Sequence, residues 1–283
     1  MTTKRVVVTL ATLAGLALTS CAGVSVDATD QKSPTAATTQ KAKPKPTATP
    51  TPTPTTPTPK ATTPKYDPKP YLEALASYDP DRMLAARKLA VPGSVADAYL
   101  RQQADLVTAD LDAGITDYPG TLTRDGDGYR DCETGDDGRD VCNHFAGFVV
   151  HGGKLADLTV NRMQIGPRLT MGNGSTVTAH GVTFQFRSAY KTTSQNALWV
   201  VVKVTTSRGA INVFPSSATY RAPDGAQRTA ADGKAPDEIA ARSSSTVAAV
   251  FPGVSPGGAV TLPFSSPDGM EDWSVRFSVG RRG

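Results

Sequence analysis

The chain has 283 residues, 39% of them hydrophobic and 20% charged, with a formal net charge of +4. That is more than one typical domain, so two folded units and a linker are expected. The charge is unevenly placed: residues 21–69 carry seven lysines against three aspartates, whereas residues 70–283 hold 21 basic and 23 acidic groups. A near-neutral folded part excludes a basic nucleic-acid-binding face. The cationic stretch suits anionic lipid headgroups or wall polymers.

At the start, Lys4 and Arg5 precede an apolar run from Val6 to Ala17, and Leu18-Thr19-Ser20-Cys21 follows. A positive segment, a short apolar segment and small residues before a cleavage point make a secretory signal over residues 1–20. The apolar run falls short of the ~20 residues a membrane span needs. Leu-Thr-Ser-Cys resembles the lipobox of bacterial lipoproteins. The resemblance implies cleavage before Cys21, a thioether-linked diacylglycerol on Cys21, and a mature chain lipid-anchored to the outer face of the cell membrane. Two acyl chains hold such a protein stably.

Residues 21–69 read as a lipidated, disordered Thr/Pro/Lys-rich tether. Eleven of the 22 prolines lie between Pro34 and Pro70, and Thr47–Pro59 is close to a Thr-Pro repeat. Proline lacks an N–H and restricts its predecessor, so neither helix nor sheet propagates. The expected form is a semi-rigid polyproline II spacer, at ~3.1 Å per residue. The Thr-Pro tract resembles O-mannosylated segments of actinobacterial surface proteins.

Residues 70–167 read as an α+β unit. Asp79-Pro80-Asp81 opens a short helix through Leu89, and Pro92-Gly93 breaks it. Ser94 caps a longer helix through about Leu111, with Val95, Tyr99, Leu100, Ala104, Val107 and Leu111 on one stripe. Strands Thr121–Arg124, Tyr129–Glu133, Val141–His151 and Leu155–Met163 follow, joined by glycine turns. Helices on one face of an antiparallel meander are expected. The element order resembles cone-shaped nuclear-transport-factor-like or cystatin-like units.

Residues 168–283 carry period-two strand patterns: Val182-Phe184-Phe186, Leu198-Val200-Val202-Val204, Val247-Ala249-Phe251, Val260-Leu262-Phe264 and Trp273-Val275-Phe277-Val279. Seven or eight half-buried strands predict an all-β sandwich. The arrangement resembles the immunoglobulin-like domain of Gram-positive lipoproteins and secreted mycobacterial antigens. Trp199 and Val201 lie opposite the inward row, so they mark a covered face or an interface.

Cys132 and Cys142 form an even pair in an exported chain and read as a disulfide. A three-residue loop at Asp136-Asp137-Gly138 sets a register in which the two cysteines face each other, as do Glu133 and Val141, and Thr134 and Asp140.

Four other patterns point to chemistry only weakly. Gly253-Val254-Ser255-Pro256-Gly257 matches the nucleophile-elbow spacing but joins two strand-like runs with no helix after it, so it reads as a turn. The acid-rich stretch Asp125–Asp140 has Tyr129 and Arg130 where a calcium loop wants Asn/Asp and Gly. Cys142 and His144 share a strand face but lack the further ligands zinc requires. Tyr99, Tyr118, Phe145 and Phe148 are the aromatics placed to line a cavity in the first unit. No catalytic, cofactor or metal residue is assigned. The expected role is non-catalytic binding or scaffolding at the bacterial envelope, with the membrane, a wall polymer or another envelope protein as partner. The alternatives are a small-molecule or lipid carrier and a hydrolase or isomerase, each using a pocket in the α+β unit.

Overall fold

The computed structural model describes residues 66–116, 119–134 and 140–280, with only the backbone at 133 and 134, all within one compact unit, Ala61–Gly283. The signal, Cys21, the tether up to residue 65 and Tyr118 lie outside the described residues. A few helices precede many antiparallel strands in several sheets, an α+β, mostly-β fold.

The helices are α1 (Lys69–Leu75), α2 (Pro80–Ala86) and α3 (Val95–Asp112). Seven residues with Pro68 at the N-cap and Pro70 within give α1 no readable period, yet Pro70 sits in the first turn, where a missing N–H costs nothing. Tyr66, ahead of α1, packs against the core. Asp79 caps α2 by accepting from the N–H groups of Asp81 and Arg82, and Ser94 caps α3 by accepting from Asp97.

The first sheet is a meander in chain order: β1 (Thr121–Asp125), β2 (Gly128–Thr134), β3 (Asp140–His151), β4 (Lys154–Val160) and β5 (Met163–Gln164). Gly152-Gly153 and Asn161-Arg162 both have two successive positive φ angles. That is the turn whose twist matches paired strands. The second turn divides the strand expected over Leu155–Met163. Cys132 faces Cys142, Glu133 faces Val141 and Thr134 faces Asp140, as expected, while the loop expected at Asp136-Asp137-Gly138 lies outside the described residues. Cys132 and Cys142 are bonded, with Cα atoms 4.1 Å apart, near the ~4.5 Å of a non-hydrogen-bonded pair.

The remaining strands are β6 (Leu169–Met171), β7 (Thr176–Ala179), β8 (Val182–Lys191), β9 (Ala197–Thr206), β10 (Asn212–Val213), β11 (Thr219–Arg221), β12 (Gln227–Thr229), β13 (Asp232–Lys234), β14 (Ser244–Pro252), β15 (Gly258–Ser265) and β16 (Asp272–Val279). One sheet runs β13-β14-β9-β8-β6, with β7 also on β8. The other runs β10-β15-β11-β12, with β16 on β15. The two share one core, which contains Phe184, Leu198, Val202, Tyr220, Phe251 and Phe264.

A β-bulge decides what β8 shows to the rest of the molecule. Phe186 pairs with Val202 but Ser188 pairs with Val201, which leaves Arg187 as the extra residue. Before it, Val182, Phe184 and Phe186 face the two-sheet core. After it the alternation flips, and Tyr190 lands beside Trp199 on the opposite face.

Helix α3 covers that opposite face. Leu100, Ala104 and Val107 belong to a core with Tyr71, Leu155 and Tyr190, while Ala109 packs on Val201 and Ala248. Val201 is fully buried and Trp199 half-buried. The face expected at these two residues is therefore an interface within the chain. Polar contacts fix the helix in place. Arg187, freed by the bulge, reaches Asp105 at 3.0 Å, and Asp112 accepts from Ser245 Oγ and Thr246 N at 3.0 and 2.6 Å. Lys234 lies 3.7 Å from Asp110.

Candidate functional site

Between α3, the β3–β4 ladder and the β8–β9 hairpin lies a cleft of about 260 Å³. Its floor is the cross-strand pair Tyr190 and Trp199. Tyr99, Gln103, Leu106, Val107 and Asp110 form the helix wall. Val141, Asn143 and Val160 form the opposing sheet wall. Leu75, Tyr78 and Met83 close the back, and the hairpin loop Thr192–Gln195 borders the opening. In the floor, Tyr99 meets Tyr190 edge to face, with centroids 5.4 Å apart.

Hydrogen bonding fixes which way the amides of the cleft point. Asn161, held at positive φ in its turn, accepts from the His144 N–H at 2.9 Å through Oδ1. Its Nδ2 therefore donates outward, to Asn143 Oδ1 at 3.2 Å and Thr193 Oγ1 at 2.9 Å. That bridge joins the sheet wall to the hairpin loop. With Oδ1 engaged, Asn143 has its Nδ2 to offer as a donor, and Thr193 has its hydroxyl hydrogen. On the helix, Gln103 Nε2 donates to Gln102 Oε1 at 2.8 Å, which turns Gln103 Oε1 into an acceptor for the cleft. Asp110 accepts from the Tyr78 hydroxyl at 3.0 Å.

The Tyr190 hydroxyl is the buried polar atom of the cleft lining that is left unsatisfied. The residue is 3% exposed and its hydroxyl has no hydrogen-bond partner among the described residues. The hydroxyls of Tyr99 and Thr193 approach it without closing a bond. Burial pushes its phenol above the ordinary range, against the charge of Arg168. An unpartnered buried hydroxyl costs about 1–3 kcal/mol. Behind Asn143, Asp131 faces it across β2–β3 and is also buried, with Oδ1 unpartnered. Burial raises its carboxyl above the usual range. Gly120 passes so close that a Cβ there would meet Asp131 Oδ1 at 2.1 Å.

Of the aromatics singled out in the sequence, only Tyr99 among the described ones lines the cleft. Phe145 is core and Phe148 packs partly buried against that same core. Tyr78 and Tyr190 were not singled out, because each reaches the cleft through a turn or bulge that the strand and helix periods do not encode. Ser255 lies in the β14–β15 loop, exposed, and accepts from Lys191 Nζ at 3.2 Å, while its carbonyl accepts from the Tyr220 hydroxyl at 2.6 Å. That turn is not followed by a helix, so the nucleophile-elbow geometry is not formed. His144 Nε2 lies 3.5 Å from the Asp125 carbonyl, and the ring of exposed His180 stacks on Trp273 with centroids 4.6 Å apart. Among the described residues no group of three or more His, Cys, Asp or Glu gathers to hold a metal ion, and no helix is long and apolar enough to cross a membrane.

No protein family matches the sequence and no curated protein matches it. Among solved structures, a functionally unknown protein from Listeria monocytogenes EGD-e is similar over 41% of this chain and 89% of its own, at 5% identity and a TM-score of 0.26. A likeness at that level carries no argument about function.

Proposed function

We propose that this chain is an envelope lipoprotein whose folded part binds a small ligand in the cleft under α3. Cys21 carries the lipid, the Thr/Pro segment holds the folded part away from the membrane, and the second unit is an immunoglobulin-like sandwich that serves as a rigid base. The observation that carries the binding reading is the cleft itself: aromatic walls, a few oriented amides, and a buried hydroxyl left without a partner. Ligand sites are concave, largely apolar and fitted with few placed polar groups. A reading as pure scaffold leaves the cost of the Tyr190 hydroxyl without a purpose.

The test uses Trp199 as reporter, with Trp273→Phe to remove the other indole. Titration with a small-molecule extract of the host envelope is expected to change Trp199 emission saturably. A Gln103→Phe variant, which crowds the cleft from the helix wall without adding an indole, is expected to abolish the response. Binding that survives the plug places the site elsewhere, and no response in either protein removes the binding reading.

A further inference from the structure

We infer that the cleft takes a neutral, polyhydroxylated ligand, a saccharide or closely similar polyol; this deepens the binding reading above and rests on it. The argument is one of complementarity. Gln103 Oε1 accepts, Asn143 Nδ2 and the Thr193 hydroxyl donate, and the Tyr190 hydroxyl can do either. A wall that mixes donors and acceptors over a short span suits a ligand whose every polar group is both, which is the property of a hydroxyl. Between these groups stand the rings of Tyr99, Tyr190 and Trp199, flat apolar surfaces against which the C–H face of a sugar ring packs. The space corresponds to about nine water molecules at their liquid volume, room for one or two sugar rings in a half-open cleft.

Other ligand classes meet specific obstacles. An anion finds no lysine or arginine among the residues described in the wall, and the carboxylate there, Asp110, already engages Lys234 and the Tyr78 hydroxyl. An acyl chain would lie against the unpartnered Tyr190 hydroxyl and the Asn143 and Gln103 amides and satisfy none of them. An extended peptide binds by adding to a strand edge. Where β8 and β9 meet the cleft they have none to offer, Tyr190 lying between β9 and β6 and Trp199 between β8 and β14; only the Asp140–His144 end of β3, which pairs with β2 ahead of the β4 ladder, leaves an edge, and trialanine tests it. The hydroxyl buried in the floor is a feature that a hydrogen-bonding ligand relieves and an acyl chain does not.

The experiment is a titration followed by NMR, reading the Trp199 indole N–H and the side-chain amides of Gln103 and Asn143. The probes are mannose, galactose, arabinose, trehalose and maltose, with glucose 6-phosphate, decanoate and trialanine as the competing chemistries. At least one neutral sugar is expected to shift all three reporters saturably, and glucose 6-phosphate to bind at least about tenfold more weakly than its best neutral counterpart. Tyr190→Phe keeps the ring and removes only the hydroxyl, so the fold is retained, and the sugar affinity is expected to fall by about tenfold. Decanoate, trialanine or the phosphate shifting the reporters while the neutral sugars do not would overturn the ligand class and leave a binding cleft standing. Silence from every probe would overturn both. Sugar binding that Tyr190→Phe and Trp199→Ala leave unchanged would place the sugar outside this cleft and overturn the inference.

Discussion

The Cys132–Cys142 bond joins β2 to β3 just where β3 turns into a wall of the cleft, so its removal separates local from global stability. Val141 and Asn143 flank Cys142 and both line the cleft. The two cysteines are 10 residues apart. Releasing a loop of that size returns conformational entropy to the unfolded chain worth about 2.7 kcal/mol at 25 °C. For a folded unit of this size that corresponds to a fall in melting midpoint of roughly 5–11 °C. The perturbation is Cys132→Ser with Cys142→Ser, which keeps side-chain size. The assay is thermal unfolding by circular dichroism, alongside the reporter titration of the cleft. A lower midpoint with an intact sheet signal is expected, and weaker ligand affinity as the hairpin end loosens. An unchanged midpoint would refute the reasoning, since the hairpin end would then not share in the global transition. Failure to fold would refute it from the other side, because a short-loop bridge between strands already in register contributes only this much.

Two buried carboxyls are expected to respond to pH in opposite directions. Burial pushes the Asp97 carboxyl up, but the Arg87 guanidinium at 2.6 Å, the Gly93 N–H and the nearby charges outweigh it and hold it below the usual carboxylate range. Its stabilisation is therefore present above the unfolded value near 4 and is lost as pH falls through the lower folded value. Asp97→Asn should destabilise the protein at pH 7 by about 1–2 kcal/mol, since Arg87 is partly exposed and stays solvated, and the difference from wild type should shrink in acid; equal loss at both ends of a pH series of urea titrations would contradict this. For Asp131 burial raises the carboxyl, so its penalty is absent below the unfolded value and fully present above the folded one. Asp131→Asn should raise stability at pH 7 and leave it unchanged below about pH 4, and a loss at neutral pH would show that the carboxylate has a partner it needs. Cys21→Ala should leave the chain unacylated and shed from or uncleaved at the membrane, and a variant that partitions into detergent as wild type does after signal cleavage would refute the anchor.

The hairpin register and the long helix are legible in the sequence because local signals determine them. The spacing of Cys132 and Cys142 agrees with the register in which they face each other, and Ser94 and the apolar stripe set where α3 starts and which side it buries. The cleft is not legible, because it is made of parts that meet only in three dimensions. Arg187 is a single unpaired residue inside an otherwise regular strand, yet it moves Tyr190 from the two-sheet core to the floor of the cleft. Period-two counting through β8 assigns Tyr190 to the wrong face. Trp199 and Val201 stand on the face the alternation predicts, but the sequence carries no sign that α3, some 90 residues earlier, lies over them. The orientation of the Asn143 amide depends on Asn161, whose positive φ arises from a turn with no glycine.

The central claim is a ligand-binding cleft displayed outside the membrane, and one measurement addresses both halves of it. Gln195 sits exposed at the rim of the cleft and Met270 lies far out in solvent at 82% exposure. Gln195→Cys and Met270→Cys each add one thiol to a chain in which Cys132 and Cys142 are bridged and Cys21 is the proposed lipid site. Labelling rates with a membrane-impermeant maleimide are compared on intact cells and on the purified folded part. Both positions should label on intact cells, and the rate at 195 relative to 270 should be lower on cells than on the purified protein, because the native ligand covers the rim. Labelling that appears only after lysis, or the same ratio in both settings, would contradict the account.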